Sequence, residues 1–329
     1  MIRNTKDYLE EANAKEYLFR LKAIAIFSTI SAHCTLVDDQ LESNYMAIFS
    51  SGLLASIGSI GVPLFLVVSG YLYNNSKALK TIIKNKIESV CIPWLFWGTL
   101  VWLYIALRKG GLTLGSWGKF LIGNGSYLYF NTILLFMFAV FYWIKNSKGQ
   151  YVLLVMSIVM VTYQSLILRS YSNFTYLNPL IWCGWFSIGQ ILRNVEADLN
   201  FVFKYRFLWY SMYLLIILCM SYRHRSIGYW SPGAIVVELA AIFVCMNLAK
   251  RGGTFLGWIG RRTYLIYLLH MPVAGVISNM MNRFSFTAII TILRPAVVVL
   301  LTVIGIRILE NIVCCQKKRK LSILMGIKY

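Results

Sequence analysis

RLKAIAIFSTISAHCTLV, residues Arg20–Val37, is apolar enough to enter a bilayer, yet it carries Lys22 at its mouth and His33 in its interior. At about 100° and 1.5 Å per helical residue, the eleven-residue step between them is about three turns, so both side chains share a face roughly 16 Å apart. Thr29, one turn before His33, extends that polar stripe, whereas Arg20 projects to nearly the opposite side. An ionisable group inside a hydrophobic span costs about 2.5 kcal/mol or more when charged, and so marks a pathway or a reacting site. A neutral histidine hydrogen-bonded between helices is the other reading of the same residues.

The rest of the chain agrees with a membrane setting. It has 329 residues, 58% of them hydrophobic and 13% charged, with a mean hydropathy of +0.65, far from a soluble globular composition. The fold class expected is an all-α polytopic membrane protein. Apolar runs at residues 20 to 37, 46 to 73, 91 to 107, 127 to 143, 151 to 168, 179 to 192, 207 to 222, 234 to 249, 264 to 281 and 288 to 308 read as about ten spans. Several are shorter than the ~20 residues that cross a bilayer core.

Charge placement orients them. With the N-terminus inside, the inner segments hold 24 Lys and Arg and the outer loops 7, with Arg294 inside the last span. That asymmetry puts both termini in the cytoplasm. It also accounts for the net charge of +20 without a nucleic-acid partner, for which no basic arm with interleaved aromatics is present. Residues 1 to 18 read as a short amphipathic segment on the cytoplasmic membrane surface, residues 19 to 310 as the membrane domain, and residues 311 to 329 as a basic cytoplasmic tail. The first apolar run is expected to be retained, because four acids precede it and no small-residue cleavage site follows. The cysteines have no zinc-like spacing with the histidines, so no metal is expected. His224 reads as an outer-loop residue, and Glu238 and Arg294 as structural charges within spans.

Four stretches carry polar groups in apolar surroundings. The first is Lys22 to His33. The second is FLVVSGYLY, where Ser69 and Gly70 stand near the inner end of span two; a small-residue packing notch explains them as well as chemistry does. The third is the lysine run with Lys84 and Lys86 before Pro93, and the fourth is WIGRRTYLIYLLHMPV, with Tyr267 one turn before His270 on the same face.

In this order the four resemble the acyltransferase-3 family of integral membrane O-acyltransferases. The family opens with a basic residue, ten intervening residues and a histidine, matched by Lys22 and His33, with lysine in place of the commoner arginine. Its Phe-rich run ending in Ser-Gly-Phe/Tyr is matched by Phe65, Ser69, Gly70 and Tyr71. A basic segment leading to proline and aromatics is matched by Lys84, Lys86, Pro93, Trp94 and Trp97, and a late Tyr-Leu-x-His-x-Pro by Tyr267, Leu268, His270 and Pro272. Two departures stand out. Phe19 replaces the acid that many members carry three residues before the basic position, and lysines replace the arginines before Pro93, which weakens bidentate phosphate binding. The SGNH hydrolase-like domain fused to some members is not read in this sequence.

The resemblance implies transfer of an acyl group, usually acetyl from acetyl-CoA, to a hydroxyl of a cell-envelope sugar or lipid-linked glycan at the bacterial inner membrane. A sugar hydroxyl is a poor nucleophile near neutral pH, and a positioned histidine that takes its proton typically contributes about 10²- to 10⁴-fold. His33 is the expected general base or acyl relay. Lys22, Lys84 and Lys86 are the expected anchors for the phosphates of acetyl-CoA as co-substrate. Thr29, Ser69, Gly70, Tyr267 and His270 are further candidate site residues. The alternative is a transporter or flippase of a lipid-linked sugar whose path these polar groups line.

Overall fold

The computed structural model describes residues 5–36, 45–74, 76, 78–168, 173–194, 199–222, 232–281, 287–316 and 319–327. His224, the acidic stretch 38–44 and the side chains of Cys314 and Cys315 lie outside the described residues. Every regular element among those described is helical: α1 (Thr5–Ala32), α2 (Tyr45–Gly58), α3 (Gly61–Leu72), α4 (Leu79–Lys86), α5 (Ile92–Lys109), α6 (Leu114–Ile122), α7 (Tyr129–Trp143), α8 (Ser147–Tyr163), α9 (Asn173–Leu177), α10 (Pro179–Asn194), α11 (Asn200–Lys204), α12 (Arg206–Tyr222), α13 (Pro232–Arg251), α14 (Thr254–Arg261), α15 (Thr263–Met281), α16 (Thr287–Gln316) and α17 (Arg319–Met325). A single π-helical turn, Ile87–Cys91, joins α4 to α5.

Six helical stretches are long and apolar enough to cross a membrane: Tyr45–Leu72, Leu79–Arg108, Ser147–Leu168, Gly233–Arg251, Thr263–Met281 and Ala288–Val313. Tyr129–Trp143 and Arg206–Tyr222 are apolar but shorter. These eight fall on eight of the stretches read from the sequence. The other two are α1 and α10, both largely buried by neighbouring helices. The chain is thus a multi-pass membrane protein.

Helix α1 is the centre. It packs against α2, α3, α13, α14, α15 and α16, and Leu21, Ala23, Ala25, Ile26, Ser28, Thr29, Ile30 and Ser31 are all buried. Burial on most sides, with Phe27 exposed, explains why its apolar residues do not form one stripe. Neighbours come this close because glycines face it. A Cβ on Gly61 would overlap the backbone of Thr29, and one on Gly58 would meet Ala32. Van der Waals packing of small residues is what holds helices together where lipid is as apolar as leucine. The 1–18 segment and the first span form one helix from Thr5 onward.

A second close crossing joins α3 to α10. Gly70 lies on the backbone of Phe186, and Gly189 on the backbone of Val67 and Tyr71. The last carbonyls of α3, left without intrahelical donors, are taken up by α10: Gln190 Nε2 donates to Gly70 O and to Tyr73 O, the latter at 2.9 Å, and Arg193 Nη1 donates to Tyr73 O at 2.7 Å. At the end of the bundle where α1 carries Glu16, ion pairs link Arg261 to Glu16 at 2.6 Å and Arg262 to Glu310 on α16. The acid at this end of α1, Glu16, is thus taken up by Arg261 of α14. The C-terminal tail is docked, with Trp97 Nε1 donating to Met325 O at 3.1 Å. Of the two charges expected to be structural, Glu238 is buried with Oε1 lacking a hydrogen-bond partner.

Replacing Gly189 with Val forces a side chain into the α3 backbone, whereas a side chain at Gly305 meets nothing within 4 Å. Overpacking of this kind typically costs about 1–3 kcal/mol or more. In detergent, G189V is expected to unfold at a clearly lower temperature than wild type and G305V at nearly the same one. Equal losses would contradict the crossing.

Candidate active site

The α1 helix ends at Ala32, and His33 stands in the turn that follows. The amides of His33 and Cys34 donate to Ile30 O and Ser31 O at 3.0 and 3.1 Å, and Leu36 N–H donates to Ser51 Oγ on α2 at 3.0 Å. Sequence reading places His33 in the interior of a span running to Val37; the structure corrects this to the last turn. The helix starts well before Arg20, and α2 holds the chain beyond Ala32 through Ser51. His33 is exposed to a cavity instead of being packed among helices. Thr29 lines the same cavity, its hydroxyl donating back to Ala25 O at 3.0 Å.

Behind His33 stands His270 of α15, fully buried, with the two ring centroids 5.3 Å apart and tilted by 44°. His270 Nδ1 lies 2.6 Å from Tyr267 O. A carbonyl oxygen only accepts, so Nδ1 carries the proton and, in the neutral ring, Nε2 holds the lone pair. That Nε2 is buried and has no hydrogen-bond partner. Two tyrosines fix this region by exchanging bonds: Tyr267 Oη donates to Tyr127 O and Tyr127 Oη donates to Leu268 O at 2.7 Å. The Tyr127 ring meets His270 edge-on at 5.3 Å, and Phe130 meets Tyr267 at 5.5 Å.

The cavity has a volume of about 820 Å³, within the usual range for small-molecule sites. Its walls come from the α1 turn, from Tyr104 and Arg108 on α5, from the Gly123–Tyr129 segment, from Tyr176, and from the later half of α15 as far as Asn279. Arg108 donates to Tyr104 Oη at 2.8 Å. Tyr267 and His270 lie at or just before the point on α15 where the lining begins at Met271, so they form the closed side.

The remaining sequence candidates lie elsewhere. Lys22 is half-buried about three turns back along α1. Lys84 lines a separate groove with Lys80 and Glu88. The Lys86 ammonium sits over the Phe138 ring at 3.4 Å, a cation–π contact. None of these lysines lines the His33 cavity, and neither do Ser69 or Gly70, which belongs to the α3–α10 crossing. The structure brings together Thr29, His33, Tyr267 and His270. It adds Arg108, Tyr104, Tyr127, Tyr129 and Tyr176, which sequence reading passed over as loop and span residues. The one signal for them was the aromatic run YLYF at 127–130 directly after the glycine-rich segment. Among the described residues no group of His, Cys, Asp or Glu is arranged to hold a metal.

The acyltransferase domain of the acyltransferase-3 family matches residues 16–310, and the chain belongs to that family. Neither a curated protein nor a solved structure matches it. Family and fold together make it a membrane acyltransferase.

Tyr267→Phe removes the donor to Tyr127 O and leaves that buried carbonyl unsatisfied, a loss of about 1–3 kcal/mol. The variant is expected to insert and purify normally and to unfold at a lower temperature in detergent. Unchanged stability would show that the exchange of bonds between the two tyrosines contributes nothing.

Proposed function

We propose that this chain is a membrane O-acetyltransferase of the bacterial inner membrane. It moves an acetyl group from cytoplasmic acetyl-CoA to a hydroxyl of a cell-envelope sugar or polysaccharide, such as a capsule, O-antigen or lipid-linked glycan. In this reading ten spans cross the membrane and both termini are cytoplasmic, as the uneven distribution of basic residues suggests. The observation that carries the proposal is His33, an imidazole at the end of the central helix, facing a cavity lined by tyrosines and an arginine.

With the N-terminus inside, α1 runs outward, and the cavity residues Arg108, Tyr176 and Asn279 lie toward the outer side. The acceptor then enters from the outer side. Tyrosine faces suit pyranose rings, and their hydroxyls and Arg108 supply hydrogen bonds. Donor phosphates are held near Lys22, Lys84 and Lys86 at the opposite end, and the acyl-bearing arm follows α1 for about 16 Å. The closed side formed by Tyr127, Phe130 and Tyr267 has to part for the thioester to reach His33.

The chemistry is then short. His33 takes the proton of the acceptor hydroxyl as its oxygen attacks the thioester carbonyl, the C–S bond breaks, and the proton passes to the departing thiolate. A transient acyl-histidine reaches the same products in two steps.

His33→Ala, in folded and inserted protein, is expected to abolish incorporation of labelled acetyl into the cell's envelope glycan. Retained transfer removes His33 from the chemistry. Lys22→Ala is expected to raise the KM for acetyl-CoA more than that for acceptor. A change in acceptor affinity alone contradicts its role as donor anchor.

A further inference from the structure

We infer that His270 is a positioning residue for His33: its Nε2 accepts the N–H of His33 and fixes the tautomer whose other nitrogen faces the cavity as the base. This rests on the reading of His33 as the base.

The geometry supplies each step. His270 is held by its Nδ1–H bond to Tyr267 O and by the rings of Tyr127 and Tyr267, at 5.3 and 5.8 Å between centroids. That bond commits Nδ1 as donor and leaves Nε2 as a lone pair in a fully buried position with no partner. An unpaired buried polar nitrogen is costly unless something donates to it. The neighbouring ring in position to do so is His33, 5.3 Å away between centroids. Ring nitrogens lie roughly 1.2 Å from an imidazole centroid, so turning the two edges together brings facing nitrogens to about 3 Å, the length of a hydrogen bond. Catalytic hydrogen bonds are often long until substrate closes the site.

The consequence is directional. Tyr267 O accepts from His270, His270 accepts from His33, and His33 is left to accept from the acceptor hydroxyl. When His33 takes that proton, its bond to His270 becomes charge-assisted and shortens. The same proton then leaves His33 for the thiolate, so His270 holds its own proton throughout. An aspartate performs this orienting task in the serine hydrolase triad, and here a second imidazole, anchored on a backbone carbonyl, stands in that place.

The test uses full-length protein with acetyl-CoA and its envelope glycan, comparing His270→Ala, His270→Gln and His270→Leu. Gln offers a side-chain oxygen that can accept from His33, and Leu has similar bulk with no acceptor. His270→Ala and His270→Leu are expected to lower kcat on the order of 10²-fold while both KM values stay within about threefold, and His270→Gln to recover much of the loss. Equal kcat for the Gln and Leu variants overturns the inference even if the Ala variant does not fold. If His33→Ala inactivates while His270→Leu retains full kcat, only the pairing fails. If His33→Ala retains activity, the base assignment fails with it.

Discussion

Everything in this molecule depends on how closely other helices approach α1. In lipid there is little hydrophobic gain from bringing two apolar helices together, so contact distance decides whether they associate. Alanines and serines along α1, with Gly58 and Gly61 across from them, permit backbone-to-backbone packing. A bulky residue at Gly58 or Gly61 would hold its helix away from α1. His33 and His270 come within 5.3 Å because of that packing, and neither histidine makes a site alone.

The second requirement is that the cavity wall be fixed. Tyr127 and Tyr267 tie the start of α7 to α15 across about 140 residues of sequence by exchanging hydrogen bonds. The amides of Gln150 and Gln190, buried, and of Asn194 at the exposed end of α10 form a chain that holds α8, α10 and the end of α3. These polar contacts lie inside protein, where each unmade bond would be costly. The lipid-facing surface, by contrast, is plain: Val152, Val155 and Val159 on α8 are exposed and apolar. In the proposed reaction this tied side parts only to admit the thioester, and otherwise holds a hydroxyl, a carbonyl and an imidazole together.

Much of this was legible in the sequence, and the losses have identifiable causes. Helical periodicity put Thr29 and His33 on one face, and Tyr267 and His270 on another; the first pair lines the cavity and His270 stands behind His33. The end of α1 at Ala32 was not legible, because the apolar run continues to Val37 without a breaker; Ser51 of α2 decides it. Gly58 and Gly61 interrupt the 46–73 run, but the sequence does not say that the interruption fits against Thr29. Gly70 carries a family motif, yet its position on Phe186 shows packing of the kind a small residue offers. Tyr127 and Tyr129 were hidden because their partners on α15 and at Tyr176 lie far along the chain. The lysines grouped by motif do not line the His33 cavity, since Lys86 lies over the Phe138 ring while Lys84 faces a separate groove.

The most direct measurement is an electron-microscopy structure of the protein in lipid with a non-hydrolysable acetyl-CoA analogue. Density for the acyl carbonyl is expected within hydrogen-bonding or van der Waals reach of the His33 ring, with the arm lying along α1 and the phosphates near Lys22. An analogue bound with its acyl group remote from His33, or a His33 ring closed off from any bound donor, would contradict it.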